Sequence, residues 1–344
     1  MSKRWIVNPE AGLLSKCESV GRFLVSDYKL AIRESEVPEY FEDILEPSGR
    51  KIVIIGAKSV PMATAKSVFL ALRLSGAESV YIKAPTEDEA LLIKNVLDNW
   101  APEGVKTKIF SIGSTQLKEM AEWNRIIEEC TDLVVFGGVD TAEAFSEFES
   151  KERRVYIHGP KFSFGIINSG DLNMSRLRDI CSDFGAYYGE GCLSPKFYVI
   201  VGDVLPDEWF YEASLIMQAE HGSNIEEFRA KLPLGKKSEV VQSLASSNIL
   251  YKYVAVEDLD DKKMFGPLFG GARFVLVNDY KDLWEFMDRW KSRISTIACL
   301  EEDGEAQFLT DSFDVVRTCS FGSMQFPSFD EQFDTVDDFD IYCL

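Results

Sequence analysis

The stretch Lys51-Ile-Val-Ile-Ile-Gly56 is a short, continuous apolar run that ends in a glycine. A run of this length, rich in β-branched residues, predicts a buried strand over 51–55. Pro61 suits the first turn of a helix, and the Ala-rich segment 62–74 predicts that helix. The chain therefore opens its regular region with a strand, a turn and a helix.

The same alternation continues as far as residue 138. Strands are predicted over 79–83, 106–112 and 132–136, with helices over 87–100 and 117–130. Strands joined through helices need crossover connections, so the sequence predicts a largely parallel sheet. Ligands of such sheets bind at the carboxyl ends of the strands.

A second α/β region is indicated beyond residue 155. A short strand over 155–157 leads to His158, a helix over 174–188 precedes Cys192, and a strand is predicted over 197–201. Further on, the patterns predict a strand at 274–277, a helix at 279–293 and a strand at 296–300. Before the first sheet, the segment 11–34 has a helical pattern.

Composition limits the classes of function. The 344 residues carry a formal net charge of −20 and 46% apolar residues, which predicts a packed core and argues against nucleic acid as a partner. Seven cysteines without zinc-like spacing and only two histidines make a Cys/His metal site improbable, so no metal is predicted. No signal peptide or membrane span is found, and reduced thiols in the cytoplasm are expected.

Cys192 is the candidate nucleophile. It lies in Gly189-Glu-Gly-Cys-Leu-Ser-Pro195, after a helix and before a strand, where glycines permit tight turns and leave space for a substrate. A thiolate attacks thioesters readily. The alternative is a buried structural cysteine, because unpaired cysteines are among the most buried residues.

Three residues at strand ends are candidates for cofactor contact. Gly137 and Gly138 stand between a strand and a helix, where backbone N–H groups approach an anionic ligand, although such turns are common and the GxGxxG fingerprint is absent. Lys83 ends another strand and suits a ribose or phosphate, with a solvated lysine as the alternative. Nothing local decides whether His158 is structural or functional.

The order of these segments resembles the aldehyde dehydrogenase superfamily, and within it the acyl-CoA (fatty acid) reductases of bacterial bioluminescence. The resemblance covers roughly residues 50–330. It is carried by Ser59-Val-Pro-Met-Ala-Thr-Ala65, Val80-Tyr-Ile-Lys-Ala-Pro85, Val134-Val-Phe-Gly-Gly-Val-Asp-Thr141, Ile157-His-Gly-Pro-Lys-Phe-Ser-Phe164, Tyr188-Gly-Glu-Gly-Cys-Leu-Ser-Pro195, Gly270-Gly-Ala-Arg-Phe274 and Arg317-Thr-Cys-Ser-Phe-Gly-Ser-Met-Gln-Phe-Pro327.

The resemblance implies an aldehyde dehydrogenase-like α/β fold with a parallel-sheet cofactor-binding domain and a smaller α/β catalytic domain. The implied domains are residues 1–160 for the cofactor, 161–310 for catalysis, and 311–344 as a segment returning to the first domain or to an oligomer interface. A homo-oligomer is a further expectation, since members of the superfamily usually assemble.

The resemblance also implies a role for each site residue. Cys192 takes the position of the acyl-accepting cysteine, and Lys83 that of the lysine that holds the adenosine ribose or its 2′-phosphate. Gly137 and Gly138 lie in the loop lining the cofactor cleft. The implied activity is reduction of an acyl thioester, from CoA or an acyl carrier, to an aldehyde with NADPH, NADH being possible.

Two positions depart from the family pattern. Ile157 stands where hydrolytic members carry a glutamate that activates water, a base that an acyl-CoA reductase does not need. Ser59 replaces an asparagine that helps to form the oxyanion hole, and losing one such donor costs about 100- to 1000-fold in rate. The Ser59 hydroxyl can still donate one hydrogen bond, with shorter reach, so Ser59 and the Cys192 backbone N–H are the two expected oxyanion donors.

Three alternatives remain at the level of sequence. An aldehyde dehydrogenase on the same scaffold is disfavoured by the missing glutamate, whereas an acyl-phosphate reductase is not. A non-catalytic scaffold or regulatory protein is the third, suggested by the changed oxyanion position and by the acidic tail at 333–340. Such a charge run is more often a solvated tail.

Overall fold

The computed structural model describes residues 48–56, 61–111, 117, 119–185, 191–203, 208–209, 211–213, 215–216, 219, 251–253, 256, 259, 272–325 and 341–342. These residues form two compact units that divide between Pro160 and Lys161. The first unit contains residues 48–160 together with 341–342, and the second contains the described residues of 161–325.

The first unit is built on a five-stranded parallel sheet in the order β3-β2-β1-β4-β5. Its strands are β1 (Lys51–Ile55), β2 (Ser79–Lys83), β3 (Lys106–Phe110), β4 (Asp132–Phe136) and β5 (Arg154–His158). Its helices are α1 (Pro61–Leu74), α2 (Glu87–Trp100), α3 (Ala121–Glu129) and α4 (Val139–Ser146). Short, mostly apolar runs bounded by turn residues form β1, β2 and β4, which have the predicted bounds.

The strand order places a topological switch at β1, which pairs with β2 on one side and with β4 on the other. The chain runs outward from β1 to β2 and β3, then returns to the opposite side for β4 and β5. A crevice at the carboxyl ends of the strands is expected where the order reverses. In this unit that edge lies between the ends of β1 and β4.

A buried ionic cluster supports the start of β4. Asp132 is fully buried and accepts two hydrogen bonds from Arg50, with N–O distances of 3.0 and 2.9 Å. Arg154 approaches the same carboxylate at 2.8 Å. Arg50 also donates to the backbone carbonyls of Ile341 and Tyr342, so this cluster ties the described end of the chain to the first sheet.

The second unit is built on a six-stranded parallel sheet in the order β11-β10-β6-β7-β9-β8. Its strands are β6 (Phe162–Asn168), β7 (Pro195–Val201), β8 (Tyr251–Tyr253), β9 (Ala272–Val277), β10 (Ile294–Ala298) and β11 (Arg317–Cys319). Its α-helices are α5 (Met174–Gly185), α6 (Trp284–Trp290) and α7 (Gly304–Ser312), and its 3₁₀ turns are Ser169–Asp171, Tyr280–Leu283 and Lys291–Arg293.

One strand of this unit was missing from the sequence prediction. β6, the strand between β10 and β7, was not predicted, because Gly165 interrupts its apolar run; in the structure a Cβ at Gly165 would lie 2.0 Å from the Tyr198 ring. The second unit has six described strands, against five in the first. The helix expected over 279–293 is α6 with a 3₁₀ turn at each end.

The helical segment predicted at 11–34 and the acidic tail at 333–340 lie outside the described residues. Within the described part of the chain, no helix has the length and apolar character needed to cross a membrane.

Candidate functional site

Cys192 lies at the amino edge of the second sheet. It follows α5 and precedes β7, whose first residue, Pro195, pairs in register with Ser163 near the start of β6. Cys192 is partly exposed, whereas Gly191, Leu193 and Ser194 around it are buried. The loop of Gly191–Ser194, called here the Cys192 loop, therefore offers one partly exposed residue from a buried turn.

Hydrogen bonds hold the Cys192 loop on both sides of the cysteine. The Ser194 N–H donates to the Gly191 carbonyl at 3.1 Å and closes the turn. The Ser163 hydroxyl donates to the Cys192 carbonyl at 2.7 Å. Because peptide groups are planar, these bonds fix the two peptide planes that flank the Cys192 Cα.

The other described cysteines have different surroundings. Cys130, Cys181 and Cys299 are buried. Burial raises the pKa of the Cys130 thiol, and burial together with nearby carboxylates raises the pKa of the Cys299 thiol to about 11. Such thiols are poor nucleophiles at neutral pH. Cys319, at the end of β11, is partly exposed and is the natural comparison for Cys192.

The cofactor candidates of the first unit lie at the carboxyl edge of its sheet. Lys83 ends β2 and pairs in register with Ile55 at the end of β1. Gly137 and Gly138 follow β4, directly before α4, and Gly138 is the N-cap of that helix. All three therefore stand at the edge where the strand order reverses.

The two glycines have different roles. A Cβ on Gly137 would lie 2.4 Å from the Thr141 Cβ, so this glycine is required for packing of α4 against the end of β4. A Cβ on Gly138 would meet no described heavy atom within 4 Å. The space beside the Gly138 backbone is therefore open in the described part of the structure.

His158 lies at the end of β5 and is buried. Its ring stacks on Phe136 with a centroid distance of 4.3 Å and an interplanar angle of 4°. Its backbone carbonyl accepts a hydrogen bond of 3.3 Å from the Gly137 N–H. These contacts give His158 a supporting role beneath the glycine turn.

The remaining positions of the family pattern divide as follows. Ser59, the other expected oxyanion donor, and Gly189 lie outside the described residues. Ile157 is half-buried in β5 and packs against the apolar core of the first unit. The Lys161 ammonium, in the second unit, donates to the Ser292 carbonyl at 2.6 Å.

The structure also places near the Cys192 loop three residues to which the sequence analysis assigned no role. Ser163 bonds the loop directly, Gln325 donates to the Ser194 hydroxyl at 3.0 Å, and Asp183 holds the loop that carries Gln325. Their partners are distant in sequence, so no local signal indicates these contacts. Among the described residues, no cluster of histidine, cysteine and carboxylate side chains suited to a metal ion occurs.

No family model and no curated protein matches the sequence. Solved structures do match the fold. A Rhodopseudomonas palustris propionaldehyde dehydrogenase with bound CoA and an acylated cysteine has 13% identity and a TM-score of 0.58, over 92% of this chain and 80% of that one. A Marinobacter aquaeolei oxidoreductase has 12% identity and a TM-score of 0.58, over 85% and 65%.

Aldehyde dehydrogenase 21 from Physcomitrella patens, in complex with succinate, has 12% identity and a TM-score of 0.56, over 84% of this chain and 64% of that one. The chain thus spans less than two thirds of the length of the Marinobacter and Physcomitrella proteins. Identities this low establish architecture alone. The chain has an aldehyde dehydrogenase-like α/β fold with two parallel sheets.

Proposed function

We propose that the protein is an acyl-CoA reductase of the aldehyde dehydrogenase superfamily, which forms an acyl-enzyme at Cys192 and releases an aldehyde. The observation that carries the proposal is the turn of Gly191–Ser194, which presents a partly exposed cysteine with both flanking peptide planes fixed. The fold shared with a propionaldehyde dehydrogenase that holds CoA and an acylated cysteine supports it.

Cys192 performs the acyl transfer in this proposal. Its thiolate forms a bond to the thioester carbonyl carbon, the bond from that carbon to the CoA sulfur breaks, and CoA leaves as a thiolate. A nicotinamide dinucleotide, NADPH or NADH, would supply the hydride that reduces the same carbon. The resulting hemithioacetal collapses with return of the electron pair to the Cys192 sulfur, which frees the aldehyde.

The turn also orients a donor for the oxyanion. In a trans peptide, the carbonyl and the N–H point in opposite directions. The Gly191 carbonyl is turned inward to the Ser194 N–H, so the Cys192 N–H of the same peptide is directed away from the turn. A backbone N–H held in this way stabilises the developing oxyanion without reorganisation.

The carboxyl edge of the first sheet fits a dinucleotide. Gly138 leaves open space at the N-terminus of α4, where backbone N–H groups and the helix dipole favour phosphate oxygens. Lys83, half-buried on the neighbouring part of this edge, would meet the adenosine ribose or its 2′-phosphate.

The identity of Ile157 favours reduction over hydrolysis. An acyl-enzyme is hydrolysed when a general base activates water, and an isoleucine that packs on an apolar core provides no base. The acyl-enzyme is then released by hydride transfer, which accounts for an aldehyde as the product.

The test is covalent labelling. We expect incubation with straight-chain acyl-CoA, without nicotinamide, to add one acyl group to the wild-type protein by intact mass and to release stoichiometric CoA. Cys192→Ala is expected to lose both, whereas Cys319→Ala, the matched variant at the other partly exposed thiol, keeps both. Undiminished acylation of Cys192→Ala would rule the proposal out.

A second comparison concerns the acyl donor. Replacing acyl-CoA with an acyl phosphate should give no acyl-enzyme and no NADPH oxidation. Acylation and NADPH oxidation with the acyl phosphate but not with acyl-CoA would favour an acyl-phosphate reductase, and no labelling with either donor would favour the non-catalytic alternative.

A further inference from the structure

Ser163 connects the Cys192 loop to two strands of the second sheet. Its buried hydroxyl donates to the Cys192 carbonyl at 2.7 Å and accepts from the Thr296 N–H in β10 at 3.1 Å. A hydroxyl has one proton to donate, and here that proton is committed to the loop. The peptide plane after Cys192 is therefore fixed to β6 and β10.

Gln325 holds the other end of the loop. Its side-chain amide donates to the Ser194 hydroxyl at 3.0 Å, and both residues are buried. Ser194 is the residue whose backbone N–H closes the turn onto Gly191. Gln325 thus restrains the residue that fixes the peptide plane before Cys192.

The position of Gln325 is itself maintained by two buried ionisable side chains. The Asp183 carboxylate accepts hydrogen bonds from the Gly322 and Met324 N–H groups at 2.8 and 3.2 Å. The Arg317 guanidinium donates to the Met324 carbonyl at 3.0 Å. Hydrogen bonds made in a buried, low-dielectric environment hold the backbone on both sides of Met324, next to Gln325.

We propose that Ser163 and Gln325 are positioning residues for Cys192. They hold the two peptide planes around its Cα. The thiolate and the backbone N–H of Cys192 are then both directed at the same substrate carbonyl. This inference rests on the proposed acyl transfer to Cys192. Neither side chain needs to touch the substrate.

The experiment compares two reactions of the same thiol. Acylation by acyl-CoA needs both the sulfur and the oxyanion donor, whereas alkylation by iodoacetamide is a displacement at carbon that needs only the sulfur. Misplacement of reacting groups by about 1 Å costs on the order of 100-fold in rate. We therefore expect Ser163→Ala and Gln325→Met to slow acylation about 10- to 100-fold and to leave Cys192 alkylation within about threefold of wild type.

Two further variants separate positioning from folding. Ser163→Thr keeps the hydroxyl and should recover most of the acylation rate. Thr310→Val removes a different buried hydroxyl of the same unit, one that donates to the Gln307 carbonyl at 2.8 Å. This variant matches Ser163→Ala in the kind of bond lost and should change neither rate.

The outcomes distinguish the two proposals. If Ser163→Ala and Gln325→Met acylate at the wild-type rate, or if acylation and alkylation fall in equal proportion, the positioning role is wrong while acyl transfer stands. If wild-type Cys192 is alkylated but never acylated, the proposed function fails and the positioning role falls with it.

Discussion

Substituting alanine at each of two adjacent glycines separates packing from cofactor binding. Gly138 has φ −76° and ψ −173°, a conformation open to alanine, and its Cβ would meet no described heavy atom within 4 Å. Alanine is a poorer N-cap than glycine by roughly 0.5–1 kcal/mol. Reduced freedom of the unfolded chain offsets this by about 0.4–1 kcal/mol. Gly138→Ala should therefore leave the free energy of unfolding close to wild type.

Gly137→Ala should behave in the opposite way. The new methyl would lie 2.4 Å from the Thr141 Cβ, an atom fixed to the backbone of α4, so only a shift of the helix relieves the contact. Overpacking of this kind costs about 1–3 kcal/mol. Urea unfolding measures the difference, and a Gly137→Ala protein as stable as wild type would contradict the packing described here.

The Gly138→Ala variant also tests the proposed cofactor site. If the phosphates of NADPH or NADH lie against the Gly138 backbone, the methyl of Gly138→Ala occupies their space. We expect the Kd for both nicotinamides, measured by fluorescence titration of the natively folded variant, to rise at least about tenfold, equivalent to about 1.4 kcal/mol. Wild-type affinity for both would show that no cofactor approaches Gly138, and the proposed cofactor site would be wrong.

Three other predictions follow from charged side chains. Lys83→Met should raise the Kd for NADPH more than that for NADH, because only NADPH has a 2′-phosphate; equal effects in fluorescence titration would argue against that contact. Asp132→Asn leaves the buried Arg50 guanidinium without its carboxylate and should lower the free energy of unfolding by about 3–5 kcal/mol in urea. Burial would raise the pKa of Asp132, but hydrogen bonds from Arg50 and neighbouring charges outweigh it and lower that pKa, so this stabilisation is present at neutral pH and is lost as the pH falls below about 4. Burial raises the pKa of Asp183 to about 7, against the opposing hydrogen bonds from backbone N–H groups and Tyr198. The native state therefore holds a proton that the unfolded chain releases, and stability should fall as the pH rises from about 4 to 7, a slope that Asp183→Asn removes in urea titrations at several pH values.

The strands of the first sheet are predictable from sequence because each satisfies a local rule. Runs such as Lys51–Ile55 and Asp132–Phe136 are short, β-branched and bounded by turn residues, and their burial on both faces matches a parallel sheet with helices on it. The end of β4 is marked by Gly137, whose packing against Thr141 leaves no room for a side chain. Pattern and packing agree at these positions.

β6 fails the same local rules for a physical reason. Gly165 breaks the apolar run Phe162–Asn168, and glycine ordinarily weakens a strand. The strand is stable because the Tyr198 ring of β7, paired in register with Gly165, lies over the glycine. The feature that stabilises β6 is the contact between Gly165 and Tyr198. These two residues are 33 positions apart in the sequence, so a local pattern does not reveal it.

The support of Cys192 could not be predicted for a related reason. The Gly-Cys-Leu-Ser-Pro segment predicts a turn with a candidate nucleophile, and the resemblance supplies the role. Neither indicates that Ser163, 29 residues earlier, bonds the cysteine carbonyl. The position of Gln325 depends on Asp183, a partner 139 residues from Gly322 in the chain. Hydrogen bonds between residues so far apart produce no periodic pattern in the sequence, so sequence reading does not detect them.

The buried polar residues that bond the Cys192 loop bear on the role of Cys192. Burying a hydroxyl, an amide or a charge is unfavourable unless each finds a partner. Ser163, Gln325, Asp183 and Arg317 are all buried and all bonded, and the bonds of the first two end on the Cys192 loop. A cysteine with only a packing role would be supported as well by apolar neighbours. Under the proposed function, a network that fixes both peptide planes around one partly exposed cysteine would set the direction of attack by its sulfur, because that direction depends on those planes.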